Sequence, residues 1–376
     1  MIPINKPWLD LEEKNEIMSV LDEGALTSAA KDGGKRVRDF EFELRNYLKA
    51  KHVIAVNSGT AALYAALVAA DIKSGDEVLL PSFTFVATAN SIVAAGAKPI
   101  FIDINRDDYT VDISDLKAKI TNKSKAIIPV NLYGHPSAMD EISELADKYS
   151  LKIIEDACQS VGSTFKKKQT GTMGLMGCFS MYASKVLTCG EGGAIATNSN
   201  GLADRLRMIR NHGMVDGYDT RVFGLNLRLP ELSAAIAKVQ TKRLPKMLNS
   251  RRRNAELMSK LLLYIANKLK LKLPEETDNK KFNWYLYTVA FEDNTLRAKV
   301  KQKMLNEGIC ATVYYDPPVH KTPYYHDTTA YLYMNNNKNL SNTEWGSQHV
   351  LSLPVHPLVT EQGIEKMAGI FLNETD

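Results

Sequence analysis

Lys51-His52-Val53-Ile54-Ala55-Val56-Asn57-Ser58-Gly59-Thr60-Ala61-Ala62-Leu63 joins a β-branched run over residues 52–56 to a helical pattern over 60–70, through a turn of small polar residues. The same alternation continues downstream. Residues 77–80, 99–104, 126–130, 152–155, 177–182 and 194–197 have strand character, with helical patterns at 86–95 and 138–149 set between them. The last of these helices is preceded by Pro136-Ser137, a start signal. Short apolar strands alternating with helices specify an α/β fold, a mostly parallel doubly wound sheet with helices on both faces.

Beyond this region a Lys/Arg/Leu-rich helical stretch runs from Pro230 to about Leu271, where Pro245 is expected to kink or break it. A strand over 284–291, a helix over 295–307 and a strand over 312–315 then read as a small α+β domain. The expected division is a large domain of residues 1–240, including the N-terminal segment, and residues 241–376 as linking helix and small C-terminal domain. Asn335-Asn336-Asn337 reads as a loop tip and Lys166-Lys167-Lys168 as a hairpin tip. Arg251-Arg252-Arg253 reads as a solvated helix face, with phosphate contact as the other reading.

Size and composition narrow the classes. With 376 residues, 44% of them hydrophobic, the chain can bury a large core, which excludes disordered and fibrous classes. The segment Met1-Ile2-Pro3-Ile4-Asn5-Lys6-Pro7-Trp8 has no basic start followed by an apolar core, so no secretory signal is expected. Apolar runs such as 61–70 are too short to span a bilayer. Four cysteines with no Cys-x-x-Cys spacing suit a reducing, cytoplasmic setting. The net charge of +4 is dispersed, so neither nucleic acid nor membrane is an expected partner. No His-Glu-x-x-His or cysteine cluster marks a metal site.

Ligands of open α/β sheets bind beyond the carboxyl ends of the strands, so three strand exits draw attention. At the first, Ser58-Gly59-Thr60 opens a helix whose free N–H groups suit a phosphate; the same residues also suit a plain helix cap. At the second, Ile153-Ile154-Glu155-Asp156-Ala157-Cys158-Gln159 leaves a carboxylate at the mouth of a strand. If the ligand is pyridoxal phosphate, Asp156 would pair with the ring nitrogen and Gln159 with the ring hydroxyl; the alternative is an Asp that caps the following turn. At the third, Phe179-Ser180-Met181-Tyr182-Ala183-Ser184-Lys185 ends on a single amine before the turn Gly190-Glu191-Gly192-Gly193. Ser180 would reach the phosphate and Lys185 the aldehyde carbon, as a Schiff-base lysine does. Phosphate cradle, ring-nitrogen partner and amine follow one another in the order one cofactor of fixed shape requires.

These residues resemble the DegT/StrS-type nucleotide-sugar aminotransferases, within the fold-type I pyridoxal-phosphate enzymes. The resemblance extends from Met1-Ile2-Pro3-Ile4 to Leu351-Ser352-Leu353-Pro354-Val355-His356-Pro357. It is most specific at residues 57–63, at Pro81-Ser82-Phe83-Thr84-Phe85-Val86-Ala87-Thr88-Ala89-Asn90 and at residues 126–134. It implies an aspartate-aminotransferase-like fold, pyridoxal 5′-phosphate as cofactor, and transfer of an amino group from L-glutamate to a nucleotide-linked keto deoxysugar in amino-sugar biosynthesis. Gly190-Glu191-Gly192-Gly193 favours C4 of the sugar, with C3 as the alternative.

The resemblance also implies that Phe85 stacks on the cofactor ring, where the residue alone would read as core. Gly224-Leu225-Asn226-Leu227-Arg228 resembles a stretch whose Asn, here Asn226, reaches the phosphate of the partner subunit, so the site would need a homodimer. Arg228 would hold a substrate phosphate or carboxylate, or form an interface salt bridge. His320 lies in a stretch that resembles the sugar site, and His212 and His356 are further candidates for substrate contact. Val186 stands where the family has Asn after the lysine, Leu225 where it has Tyr, and Asn131 where it has His. These departures bear on the substrate rather than on the cofactor. Relatives with histidine in place of the lysine are sugar dehydratases, and Lys185 argues against that outcome. A pyridoxal-phosphate-binding regulatory protein that does not turn over is the alternative outside enzymes.

Overall fold

The structure is a computed structural model and describes residues 1–326 and 340–374; the loop tip expected at residues 335–337 lies outside them. Its strands are β1 His52–Val56, β2 Glu77–Pro81, β3 Lys98–Ile102, β4 Ser124–Ile127, β5 Lys152–Asp156, the two-residue β6 Thr164–Phe165 and β7 Lys168–Gln169, then β8 Met176–Ser180 and β9 Gly193–Thr197. Seven of these form one sheet in the order β1-β9-β8-β5-β4-β2-β3. Only β9 runs against its neighbours, as its antiparallel pairing with β1 and β8 shows; the other pairs are parallel. β6 and β7 close a hairpin at Lys166 and Lys167, both at positive φ, so the lysine run does form a hairpin tip.

Both faces of the sheet are buried, and β1 shows how. Ile54 and Val56 point into one core with helices α3 Gly59–Ala69, α4 Ala87–Ala94 and α7 Asn200–Arg210. Val53 and Ala55 point into a second core with α2 Lys35–Leu48 and α8 Glu231–Ala266. Successive strand side chains alternate between faces, so an all-apolar strand needs cover on both sides. The remaining labelled helices are α1 Leu11–Glu23, α5 Ile113–Lys119, α6 Met139–Tyr149 and α9 Asn294–Asn306. Leu79, Ile100, Ile127 and Ile153 pack under α5 and α6. At the mouth of β5, the fully buried Glu155 accepts from the N–H groups of Gly171, Met173 and Gly174 at 2.7, 2.6 and 2.8 Å, and so folds the loop that leads into β8.

α8 does not break at Pro245. It passes through Pro245 as one helix, although proline cannot donate to the Thr241 carbonyl. Packing against α1, α2 and the C-terminal helix Glu361–Leu372 supports it along its length. The division expected at residue 240 falls inside this helix. Arg251, expected on a solvated face, is buried, because its guanidinium has found carbonyl and amide acceptors; Arg252 pairs with Glu276.

After α8 come β10 Leu271–Lys272, β11 Lys280–Lys281, which pairs with β6, and β12 Tyr287–Phe291 and β13 Val350–Leu353, which with β10 make a second antiparallel sheet. The strand expected from Trp284 begins three residues later, because Trp284 sits at φ 52°, outside extended backbone. Residues 312–315 form only a bridge, Thr312 to Ser352. The first residues join this C-terminal part: Ile2 N–H donates to Gly308 O, Cys310 N–H donates to Ile2 O, and His356 Nε2 contacts Pro3 O.

Candidate active site

Strand register brings the three exits together. Val56 of β1 lies opposite Gly193 of β9, Gly193 opposite Ser180 of β8, and Asp156 of β5 opposite Cys178, two residues before Ser180. With strands about 4.8 Å apart, the row from Val56 to Ser180 spans about 10 Å.

The start of α3 is seated directly on this row. Ser58 caps the helix, its Oγ accepting from Ala61 N–H at 3.0 Å and its carbonyl from Ala62 N–H. Among the described residues no protein acceptor takes the N–H groups of Gly59, which is buried, or Thr60, which is exposed, so both remain without a protein partner at the positive end of the helix. A Cβ on Gly59 would lie 2.8 Å from Ser180 Cβ and 3.0 Å from Cys158 Sγ; one on Gly193 would lie 2.3 Å from Ser58 O. Both positions require glycine for this close approach, and the result is a shallow cradle of amide and hydroxyl donors.

Beside it, the Asp156 carboxylate is fixed at both oxygens. Oδ2 accepts from Thr88 Oγ1 at 2.8 Å and Oδ1 from Cys158 N–H at 3.1 Å. The Oδ1 bond is the turn-capping contact; it leaves the carboxylate free to act on a cation as well. Gln159 is already engaged, donating to Tyr315 Oη at 2.7 Å and accepting from Tyr133 N–H at 2.9 Å. Tyr315 stacks on Tyr133 and meets Phe83 edge-on, so an aromatic wall backs the site.

Lys185 is half-buried, in a turn closed by its own N–H to Tyr182 O at 2.8 Å. Its Nζ lies 5.0 Å from the centre of the Tyr285 ring, a cation–π distance. It is also within electrostatic reach of the Cys158 thiol, as Asp156 is. Burial pushes that thiol well up, the Asp156 charge adds to the rise and the Lys185 charge opposes it. Amine, carboxylate and amide cradle thus share one corner of the molecule.

The other candidates fall at various distances from this corner. Phe85 is 58% exposed, which is incompatible with core packing and leaves its ring open to a ligand. Asn226 is exposed and joined to the β1 exit, since Asn57 Nδ2 donates to its carbonyl at 3.4 Å and Asn57 N–H to Leu227 O at 2.9 Å. Arg228 donates to Asn211 Oδ1 at 2.7 Å. His320 is buried against Ser82: its N–H donates to Ser82 Oγ, which in turn donates to Nδ1 at 2.7 Å, and burial pulls the imidazole pKa down. His212 is exposed, whereas His356 is buried against Pro3 and Leu358. Reading the sequence missed Thr88, Tyr315, Tyr285 and Asn5, each of which reaches the site from far along the chain. Two of them lie in stretches that carry the family resemblance, Thr88 within residues 81–90 and Tyr315 in the stretch that leads to His320, and neither was singled out.

Comparison with known proteins agrees with this arrangement. Residues 9–371 match the DegT/DnrJ/EryC1/StrS aminotransferase family. A "pleiotropic regulatory protein" of Geobacillus stearothermophilus is 37% identical, over 98% of this chain and 99% of its own. A dTDP-3-amino-3,4,6-trideoxy-alpha-D-glucose transaminase of Streptomyces venezuelae is 34% identical, over 93% and 91%. The crystal structure of S. venezuelae DesV in complex with a ketimine intermediate superposes with a TM-score of 0.89 at 32% identity, covering 100% of this chain and 99% of that one. Among the described residues no helix is long and apolar enough to cross a membrane. The chain belongs to the DegT/DnrJ/EryC1/StrS aminotransferase family and is a pyridoxal-phosphate-dependent sugar aminotransferase of fold type I.

Proposed function

We propose that the chain transfers the amino group of L-glutamate to the keto carbon of a nucleotide-linked deoxysugar, with Lys185 as the reactive amine. The carrying observation is the register of β1, β9, β8 and β5, which sets an amide cradle and a carboxylate side by side, with Lys185 in the turn that follows β8 and within electrostatic reach of Cys158. That donor set fits pyridoxal 5′-phosphate: the Gly59 and Thr60 N–H groups with Ser180 for the phosphate, Asp156 for the ring nitrogen, Lys185 for the aldehyde. Phe85 offers an open ring face, and Gln159 an amide beside Asp156. When bound, the cofactor supplies the electron sink into which the substrate α-carbon electrons pass.

The remaining work falls to the protein. Asp156, held by Thr88 and Cys158, favours the protonated ring nitrogen. Lys185 Nζ would hold the cofactor's aldehyde and, as a free amine, would carry a proton to and from the donor α-carbon, and the same amine would serve the keto sugar. Tyr285 packs its ring face against Lys185 Nζ, and Tyr133 and Tyr315 back the Gln159 amide.

Phe223 and Leu225, both exposed, lie beside Asn226 in the chain, and these uncovered apolar side chains support a homodimer in which Asn226 serves the partner's site. Arg228, bound to Asn211, and His320 remain the proposed substrate contacts. Free cysteines suit a reducing cytoplasm.

Purified protein loaded with cofactor should show a visible absorbance band that L-glutamate bleaches and a nucleotide keto sugar restores, with mass detection finding a new nitrogen in the sugar. A band that persists would sink the proposal, and a product without nitrogen would point to a dehydratase. C4 is the first position to test by product NMR, and the name of the S. venezuelae relative makes C3 the second. The name of the Geobacillus relative favours a regulatory role as the other reading; binding of cofactor without turnover would support it.

A further inference from the structure

Arg251 is a buried guanidinium, and among the described residues no carboxylate pairs with it. Burial lowers its pKa to about 10, which still leaves it charged at neutral pH. Its charge is spread over three oxygens. Nη1 donates to Trp284 O and Tyr285 O at 3.2 Å each, and Nη2 to Asn5 Oδ1 at 2.6 Å. The other end of the Asn5 amide turns to the lysine: Nδ2 donates to Ser184 O and, at 3.3 Å, to Lys185 O. Chemistry fixes the orientation of this amide, since the guanidinium can only donate and the two carbonyls can only accept.

A closed circuit results. Arg251 holds Asn5, Asn5 holds the Lys185 backbone, and Arg251 also holds the backbone of Tyr285, whose ring faces Lys185 Nζ. Asn283 Oδ1 accepts from Tyr285 N–H, and Asn283 Nδ2 donates to Gln159 O and Val161 O, which ties the ring to the loop behind Asp156. Trp284, between them, is held at positive φ, a conformation that persists only where its surroundings over-determine it.

The geometry points to Asn5 as a positioning residue for Lys185, acting with Arg251 to set the lysine turn against Tyr285. This rests on the reading of Lys185 as the reactive amine. The segment that carries Asn5 is anchored beyond the site, by Ile2 on Gly308 and Cys310 and by Pro3 on His356, so the lysine turn is braced by the C-terminal part of the molecule.

Two substitutions separate positioning from mere anchorage. Asn5→Ala removes both ends of the amide, whereas Asn5→Asp keeps an acceptor for Arg251, now as a carboxylate, and replaces the donor to Ser184 and Lys185 by an oxygen that their carbonyls repel. Hydrogen exchange of the cofactor-free chain, read on the amides of Lys185 and Cys189, should quicken about ten-fold in both variants, while β12 and β13 exchange as before in Asn5→Asp. In the loaded enzyme both should lower kcat about ten-fold with KM for glutamate within about two-fold. Unchanged exchange at Lys185 and Cys189 in Asn5→Asp, or a kcat within about two-fold of the parent, would overturn the assignment. The exchange measurement involves no chemistry at Nζ. A failure of the lysine reading therefore appears separately, as activity retained in Lys185→Ala.

Discussion

Thr88 donates its hydroxyl to Asp156 Oδ2 at 2.8 Å and is itself met by Thr84 Oγ1 at 3.0 Å, so the carboxylate beside the cofactor cradle is oriented from α4, one layer away. Thr88→Val keeps the shape and removes the bond. A hydrogen bond to a charged group is worth about 1.5–3 kcal/mol, so the melting temperature should fall by several degrees, and turnover per folded molecule should fall about ten-fold or more as the carboxylate loses its orientation. Steady-state kinetics beside a thermal melt checks this, and unchanged kcat would deny Thr88 its role.

Gly59→Ala tests the cradle. Its Cβ would press on Ser180 Cβ and Cys158 Sγ, and neither can swing clear, because one belongs to β8 and the other is packed beneath the helix. Overpacking of this kind costs about 1–3 kcal/mol. Cofactor titration followed by absorbance should show weaker binding than in the parent, and an unaltered titration would show that the cradle tolerates a methyl group.

His135 makes stability depend on pH. The ring is fully buried on Phe282, with Nδ1 3.2 Å from Asp108 O, and burial lowers its pKa to about 4 despite the opposing pull of Asp108. The unfolded chain, with an ordinary value of 6.5, binds the proton more readily than the folded one. The stability is therefore complete above about pH 6.5 and is lost as pH falls towards about 4; one such group accounts for about 3 kcal/mol. Urea unfolding at pH 7 and pH 4.5 should show the drop, and His135→Phe, which keeps the ring stack, should reduce it by about 3 kcal/mol. His356, also lowered to about 4, first by burial and then by Arg251, contributes in the same sense.

Glu155→Gln should destabilise without touching chemistry. Three N–H groups converge on this carboxylate, and an amide would turn its own N–H groups towards at least one of them. A loss of about 3 kcal/mol in denaturant unfolding is expected, with kcat per folded molecule retained. Equal stability would mean that the loop into β8 is held by other contacts.

Mixed dimers test whether Asn226 acts across the interface. If it does, Lys185→Ala and Asn226→Asp chains, each inactive alone, yield one intact site when combined, with the lysine from one chain and the asparagine from the other. Recovered activity on mixing is the expected result. No recovery would place Asn226 in its own subunit's site.

The sheet and the residues at its strand exits were legible because they are local. Alternation in β1, the small polar turn at Ser58-Gly59-Thr60 and the carboxylate closing β5 lie within a few residues of the elements that place them. A break at Pro245 did not occur, because the helices that flank α8 on several sides offset the lost hydrogen bond. Arg251 misled for a related reason: its neighbours in sequence are basic, while its acceptors come from Asn5, Trp284 and Tyr285. Thr88, Tyr285 and Asn5 could not be found from spacing, because each meets the site only once the chain has folded back on itself.

The path of the first residues has a temporal consequence. Ile2 and Pro3 are held by Gly308, Cys310 and His356, which leave the ribosome long after them. Asn5 can meet the lysine turn and Arg251 earlier, but the anchors of Ile2 and Pro3 must wait until residues 308–356 have been made, and the brace on the lysine turn is incomplete until then. A partly synthesised chain can have its sheet in place and still hold Lys185 slack, so an early-released fragment would carry the amine without the setting that directs it.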